Sequence, residues 1–354
     1  MEKFNENYIL TFAAQLLHPA KDVDITFFPA SSFFWKNLVK YASGHLVLPA
    51  IYSALKRKNL VDEVPNDLLI YLKEISKINC ERNKEILKQI FFLSKILKEN
   101  NIGHIFLKGA AMLILKPYNT LSDRMIGDID ILILNNSLEK AQSILIKNGY
   151  SNNKQEDLEF TNDVDKISKK HLHRIVHPDF ISAVELHREL LDENSKNQFS
   201  ANQISQHIGF LHDIPIPSKM NLWKHAIFNW QFNDNGFIYN NFSLRSYLDV
   251  IYLEPQKIDN KLMRIPAISH FYSLCSVFID SYKNSNATAS LIFRYKLRNS
   301  KFRFLFNSVI TFRITFSLIC KRLLLFIQSK VYRKNLLENP KLILKKIYFF
   351  WKKH

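Results

Sequence analysis

LKGAAMLILKPYNTLSDRMIGDIDILI, residues 107–133, is the stretch from which the fold is read. A short β-friendly run, His104 to Leu107, leads into it, the chain turns at Gly109, and a helix over Ala110 to Leu115 is ended by Pro117. A loop follows to Gly127, and then an isoleucine-rich strand from Asp128 to Leu134. Alternate side chains on a strand face opposite ways, so Asp128 and Asp130 share one face while Ile129, Ile131 and Ile133 share the other. Two adjacent carboxylates on a sheet backed by isoleucine repel each other unless a cation neutralises them, and Mg²⁺ favours carboxylate oxygens together with substrate phosphates. The pair reads as a divalent-metal site.

A second strand candidate, ISAVELHREL at 181–190, puts Ile181, Ala183, Glu185 and His187 on one face and Val184 and Leu186 on the other. If it pairs beside the first strand, Glu185 becomes a third carboxylate, enough to hold two ions roughly 3.5–4 Å apart. Gly109 lies where a strand turns into a helix, and the bare N–H groups and positive dipole end there suit phosphate oxygens. Lys108 and Arg124 add positive charge to the same group, Arg124 having as its alternative a salt bridge to Asp123 or to an acid of the site. Asp-x-Asp alone also serves glycosyltransferases that bind metal-nucleotide sugars, but those need a long α/β region ahead of the motif. The first hundred residues here read instead as helices.

The clearest of those helices follows Pro65, with Ile86, Ile90, Leu93 and Leu97 on one stripe, and Asn100, Asn101 and Gly103 stop it. Beyond the decisive stretch, Ser137 caps a helix to Lys147 that Gly149 ends. Residues 151–170 read as a polar loop, 171–177 and 181–188 as strands, and from about 201 the signals return to helix, including Leu222 to Phe232 and Leu244 to Leu253. Four of the seven glycines (Gly103, Gly109, Gly127, Gly149) fall between 103 and 149, marking that segment as the one with special turns. The expected organisation is a helical region over 1–100, an α/β core over 101–195, a helical region over 196–282 and a basic helical tail over 283–354.

Strand, Lys108-Gly109-Ala110, helix, Arg124 and then Asp128-Ile129-Asp130 on a strand resembles the nucleotidyltransferase superfamily of DNA polymerase β type. The combination LKGAAM, R-x-x-x-D-I-D and AVELH resembles a bacterial nucleotidyltransferase family often called NTase_5, over about 107–190. Looser similarity extends to GHLVLPAIYSAL at 44–55 and LRSYLDVIYL at 244–253. The resemblance implies an α+β fold, a polymerase β-like mixed sheet flanked by helical regions. It also implies transfer of a nucleoside monophosphate from an NTP to an acceptor hydroxyl, with Asp128, Asp130 and Glu185 holding two Mg²⁺ ions, Mn²⁺ being an alternative, and Gly109 in the phosphate-side turn. Ala110 stands where the superfamily usually has a second glycine or a serine, and Asp128 follows Gly109 by 19 positions, a longer gap than usual.

With 354 residues and 47% hydrophobic content the chain can bury more than one hydrophobic centre, which excludes wholesale disorder. The formal charge of +17 is concentrated at one end, since residues 283–354 hold 17 basic residues and one acid, Glu338, leaving +1 for everything before. Basic and aromatic residues interleave in FRYKLRNSKFRFLF, which suits RNA, an anionic membrane surface, or a helical extension docked on the body. Measured from Arg313 at 100° per residue, Lys321 lies at about 80°, Arg322 at about 180° and Lys330 at about 260°, so the charges share no one face and a simple amphipathic anchor is not expected. A non-catalytic adaptor using this tail is the alternative to an enzyme, and the three carboxylates count against it. His171, His173 and His177 lack a fourth ligand at zinc spacing, while His173 or His187 can orient an acceptor or take its proton. Asp249, among apolar neighbours on its helix, reads as a partly buried acid. Cys80, Cys275 and Cys320 form no C-x-x-C pair, which, with no signal-peptide pattern at the start and no long uncharged apolar run, places the protein in the cytoplasm, or at most at the membrane periphery.

Overall fold

The computed structural model describes residues 6–20, 31–152, 170–282, 285–330 and 333–334. Most of the polar segment expected as a loop at 151–170, and the end of the basic tail, lie outside the described residues. Helices α1 (Glu6–Leu17), α2 (Ser32–Gly44), α3 (Leu48–Arg57) and α4 (Asn66–Glu99) lead into the sheet. Local chemistry sets their ends: the Ser31 hydroxyl caps α2 by accepting from the Phe34 amide, and Pro49 sits in the first turn of α3. Helix α4 begins after Pro65 and stops where Asn101 takes a left-handed conformation, φ 55°.

Strand β1 (His104–Phe106), helix α5 (Lys108–Leu115), strand β2 (Asp128–Ile133), helix α6 (Leu138–Lys147) and strands β3 (Ser151–Asn152), β4 (Ile175–Val176) and β5 (Ala183–His187) build a mixed five-stranded sheet in the order β1-β2-β5-β4-β3. Only β2 and β5 run parallel. Ile129, Ile131, Val184 and Leu186 are almost wholly buried, so both central strands are sealed by packing and cannot slip register without exposing this set. Lys116, left-handed at φ 50°, ends α5 just before Pro117. Gly149, at φ 91°, follows α6 where any Cβ would stand 2.5 Å from the His177 ring. His177, partly buried, packs among Phe92, Tyr150 and Phe180.

Beyond the sheet come α7 (Ala201–Ser205), β6 (Ile208–Leu211), β7 (Ile214–Pro217), α8 (Lys219–Phe228), α9 (Gly236–Tyr239), α10 (Leu244–Leu253), α11 (Asn260–Met263), α12 (Pro266–Cys275), α13 (Ala287–Arg298) and α14 (Ser300–Gln328). The β6–β7 hairpin departs from the expected return to helix at 201. Its two turn residues, His212 and Asp213, both take positive φ, 50° and 60°, without a glycine to announce the turn. Pro215 and Pro217 occupy β7, which the usual reading of proline argues against. The helix expected over 222–232 is α8 followed by a wider π-type turn, Asn229–Asn233. One hydrophobic cluster extends from Ile9 in α1 to Leu297 in α13 and includes the inner face of the sheet.

Candidate active site

The parallel pairing of β2 and β5 sets Asp128 opposite Ala183 and Asp130 opposite Glu185. Asp128 and Asp130 alternate outward along β2, and Glu185 and His187 do so along β5, so four polar side chains converge on one side of two adjacent strands. The Nε2 of His187 lies 2.8 Å from Asp130 Oδ1 and 3.4 Å from Glu185 Oε2. Its other ring nitrogen, Nδ1, is buried and has no hydrogen-bond partner. Lys108 approaches from the strand-to-helix turn, its Nζ 2.6 Å from Asp130 Oδ1. Its backbone is left-handed, φ 46°, a conformation that costs a non-glycine residue about 1 kcal/mol and aims the chain from β1 into α5 directly beside β2.

Arg174 completes the cluster. The register that pairs Ile175 with Val184 places it beside Glu185, and its guanidinium donates to Glu185 Oε1 at 2.7 Å and lies 2.9 Å from Asp128 Oδ2. Nothing in the sequence singles it out, because its role depends on the antiparallel pairing of β4 with β5 and on β2 lying beside β5 to bring Asp128 within reach. His187 was readable, since it follows Glu185 by two positions on the same strand face.

The electrostatics follow from counting charges. Three carboxylates meet two fixed cations, so the cluster stays short of one positive charge. Burial alone would raise the Asp130 pKa, but the Lys108 charge and the His187 hydrogen bond outweigh it and hold the carboxyl far below its ordinary range. Burial likewise opposes ionisation of Glu185, yet hydrogen bonds from His187 and Arg174 pull it down to about 2. Asp128 goes the other way: burial, then repulsion from Asp130 and Glu185, raises it despite Arg174. Burial would lower the Lys108 pKa and Asp130 more than reverses that. Donor atoms of Asp130, Glu185 and His187 lie within 4.8 Å of one another, the one such set among the described residues. Oxygen donors with surplus negative charge fit a hard divalent cation, and Arg174, with a side chain 44% exposed, is a counter-ion able to yield its place.

The loop ahead of β2 is held from behind. Helix α4 turns a polar stripe onto it: Ser76 donates to Ser122, Asn79 to the carbonyls of Ser122 and Arg124, and Asn83 to those of Leu121 and Arg124. Arg82 donates to the Ile126 and Gly127 carbonyls, while Gln89, about 20 Å along the helix from Ser76, exchanges two hydrogen bonds with the Ser182 backbone at the start of β5. A single helix thus fixes the spacing of both strands that carry acids. Arg124 is not among the cluster. Its guanidinium is buried against α10, with Nε 2.7 Å and Nη2 2.9 Å from the two Asp249 carboxylate oxygens and Nη1 on the Met125 carbonyl. Arg245, one turn earlier on α10 and half-buried, is close enough to Asp128 for their charges to interact.

Gly109 lies in the first turn of α5, buried, and a Cβ there would meet Ile126 Cγ1 at 3.0 Å and Cγ2 at 3.3 Å. Gly109→Ala is expected to lower stability by about 1–3 kcal/mol as Ile126 is displaced, and to perturb β2 through the following Gly127. Thermal melts of Gly109→Ala, Ile126→Ala and the double variant check this. The double should cost less than the sum of the singles, and strict additivity would show that the contact does not matter.

The fold and this cluster define an α+β protein whose acidic site lies on a pair of parallel central strands, tied to helices on either side of them in sequence. Residues 31–250 match the model of a family described as uncharacterised nucleotidyltransferase, and the chain belongs to that family. No curated protein matches it, and no solved structure does.

Proposed function

We propose that this protein is a metal-dependent nucleotidyltransferase that moves a nucleoside monophosphate from an NTP to an acceptor hydroxyl and releases pyrophosphate. The observation that carries this reading is the register Asp130 opposite Glu185, with Asp128 two residues away on the same face. In this reading Asp128, Asp130 and Glu185 hold two Mg²⁺ ions, which Mn²⁺ can replace. Bound there, divalent ions neutralise triphosphate charge and make a hydroxyl a better nucleophile. The core is read as polymerase β-like on the same ground.

The chain's own groups have separable tasks. Lys108 holds Asp130 ionised and in place, and the amides of the first turn of α5, Gly109 among them, face the phosphate side. His187 orients Asp130 and Glu185 by donating between them. It is a positioning residue, since its second nitrogen is sealed from the acceptor. Arg174, half-exposed beside the carboxylates, is placed to serve the triphosphate once metal ions would neutralise those acids, a task Arg245 shares and Arg124, closed on Asp249, does not. Catalysis is then mostly positioning and charge neutralisation.

Incubation with each NTP labelled at the α-phosphate, Mg²⁺ and a lysate of the source organism tests this. Wild type should deposit label on an acceptor and Asp128→Ala should not. Failure of the wild type to label any acceptor from α-labelled NTP where γ-labelled NTP does so, or equal labelling by Asp128→Ala, would reject nucleotidyl transfer at this site.

A further inference from the structure

Helix α14, 29 residues long, has an apolar face that no other described residues cover. It docks on the body through one side only: Phe302 packs on Tyr295 with ring centroids 4.6 Å apart, Phe306 lies 4.8 Å beneath the Lys296 ammonium, and Thr311 hydrogen-bonds Tyr239 at 2.9 Å. On the far side Leu305, Val309, Phe312, Phe316, Ile319 and Leu323 are 45–71% exposed. Their spacing of four, three, four, three and four residues makes one stripe, centred at about 280° when Arg313 is set to zero. Arg313 then flanks the stripe at about 80° on one side and Arg322 at about 100° on the other, with no acid anywhere in the helix. Arg313 and Arg322 thus border the two edges of the stripe, while Lys321, at about 80° from Arg313, lies on the opposite side, where it reaches Asn194 of the body.

We infer that this face of α14 is a docking surface for an anionic lipid bilayer, on which the helix lies parallel to the membrane plane. Charge decides among the occupants. The same spacing would serve a coiled coil with a second copy, but the helix carries five basic residues and no carboxylate, so two copies would repel along the seam. RNA requires cations and hydrogen-bonding groups on the contacting face, whereas the exposed stripe is aliphatic and phenyl throughout. An anionic bilayer meets both halves: the stripe enters the acyl boundary, and arginines at its edges reach headgroup phosphates. The sequence beyond the described residues keeps this composition, with Lys341, Lys345, Lys346, Lys352 and Lys353 against Glu338 alone. Among the described residues no helix is long and apolar enough to cross a membrane, so α14 would lie on the bilayer and not span it.

Co-sedimentation of the full chain with vesicles of phosphatidylcholine alone, and of phosphatidylcholine with about a third phosphatidylglycerol, tests the inference. The expected result is partitioning onto the anionic vesicles, reduced severalfold by half-molar salt and reduced about tenfold or more by Phe312→Gln/Phe316→Gln/Leu323→Gln. These exposed positions leave the melting temperature unchanged, which separates lost binding from lost folding. Failure of the wild type to sediment, or equal sedimentation of the triple variant, overturns the inference. So does single-stranded RNA binding or dimerisation that the triple variant abolishes while vesicle binding is absent. None of these outcomes depends on nucleotidyl transfer.

Discussion

Asp130→Asn is expected to lower nucleotidyl transfer by about a thousandfold or more while leaving the protein folded. Asparagine has the shape of aspartate, and its oxygen can still accept from Lys108 and His187, which now approach Oδ1 at 2.6 and 2.8 Å. What disappears is charge. Two remaining carboxylates then face Lys108 and Arg174, the surplus negative charge vanishes, and divalent cations lose the reason to enter. Stability should fall by no more than about 2 kcal/mol, because Lys108, with a side chain 28% exposed, can turn its ammonium toward water. Mn²⁺ titration calorimetry and turnover at saturating Mg²⁺ read the two halves separately. Full turnover by Asp130→Asn in saturating Mg²⁺ would remove Asp130 from the metal-holding role. Asp128→Asn makes the contrast: its carboxylate is repelled by both neighbours, so the substitution should raise the melting temperature slightly while lowering activity, the pattern of a group kept for function at some cost in stability.

The alternation rule made half of this site legible. Along residues 128–133 the odd positions are buried isoleucines and the first two even positions are the acids, Leu132 completing the strand, and residues 183–187 repeat the pattern with Glu185 and His187. What alternation cannot supply is which strand lies beside which. The parallel register joins segments more than fifty residues apart, and the placement of Arg174 depends in turn on that pairing. The polar stripe of α4 was hidden for a different reason. Ser76, Asn79 and Asn83 follow helical spacing as faithfully as Ile86, Ile90 and Leu93 do, but a polar stripe ordinarily means solvent, and here it faces backbone carbonyls of a loop that has no secondary structure of its own to satisfy them. The hairpin at 208–217 was obscured because its turn uses His212 and Asp213 where glycine or asparagine is usual. Arg124 shows how a charge in a motif can be read two ways: an arginine four positions before a metal-site acid suggests phosphate, and only the fold reveals that Asp249, 125 residues later, closes around it.

That closure has a large stability consequence. Arg124 and Asp249 side chains are 8% and 11% exposed, the pair is bidentate, and Tyr118 adds a third hydrogen bond to the carboxylate. Asp249→Ala leaves a guanidinium sealed against α10 with no carboxylate and only the Met125 carbonyl and the Tyr118 hydroxyl beside it, a loss expected at about 3–5 kcal/mol and a melting temperature lower by roughly 10 °C. Because the Arg124 carbonyl also anchors Asn79 and Asn83, the loop feeding β2 should loosen with it, and hydrogen exchange at residues 120–127 should rise. Replacing both partners, Arg124→Met with Asp249→Leu, should restore much of the stability, since an apolar pair of similar volume leaves no buried charge. The same measurements decide between the two readings of Arg124. A phosphate-binding arginine predicts that Arg124→Met raises the KM for NTP with little change in melting temperature, and that the double variant is no more active than the single. An arginine that braces the loop predicts a lower melting temperature in each single variant and recovery of both stability and transfer in the double.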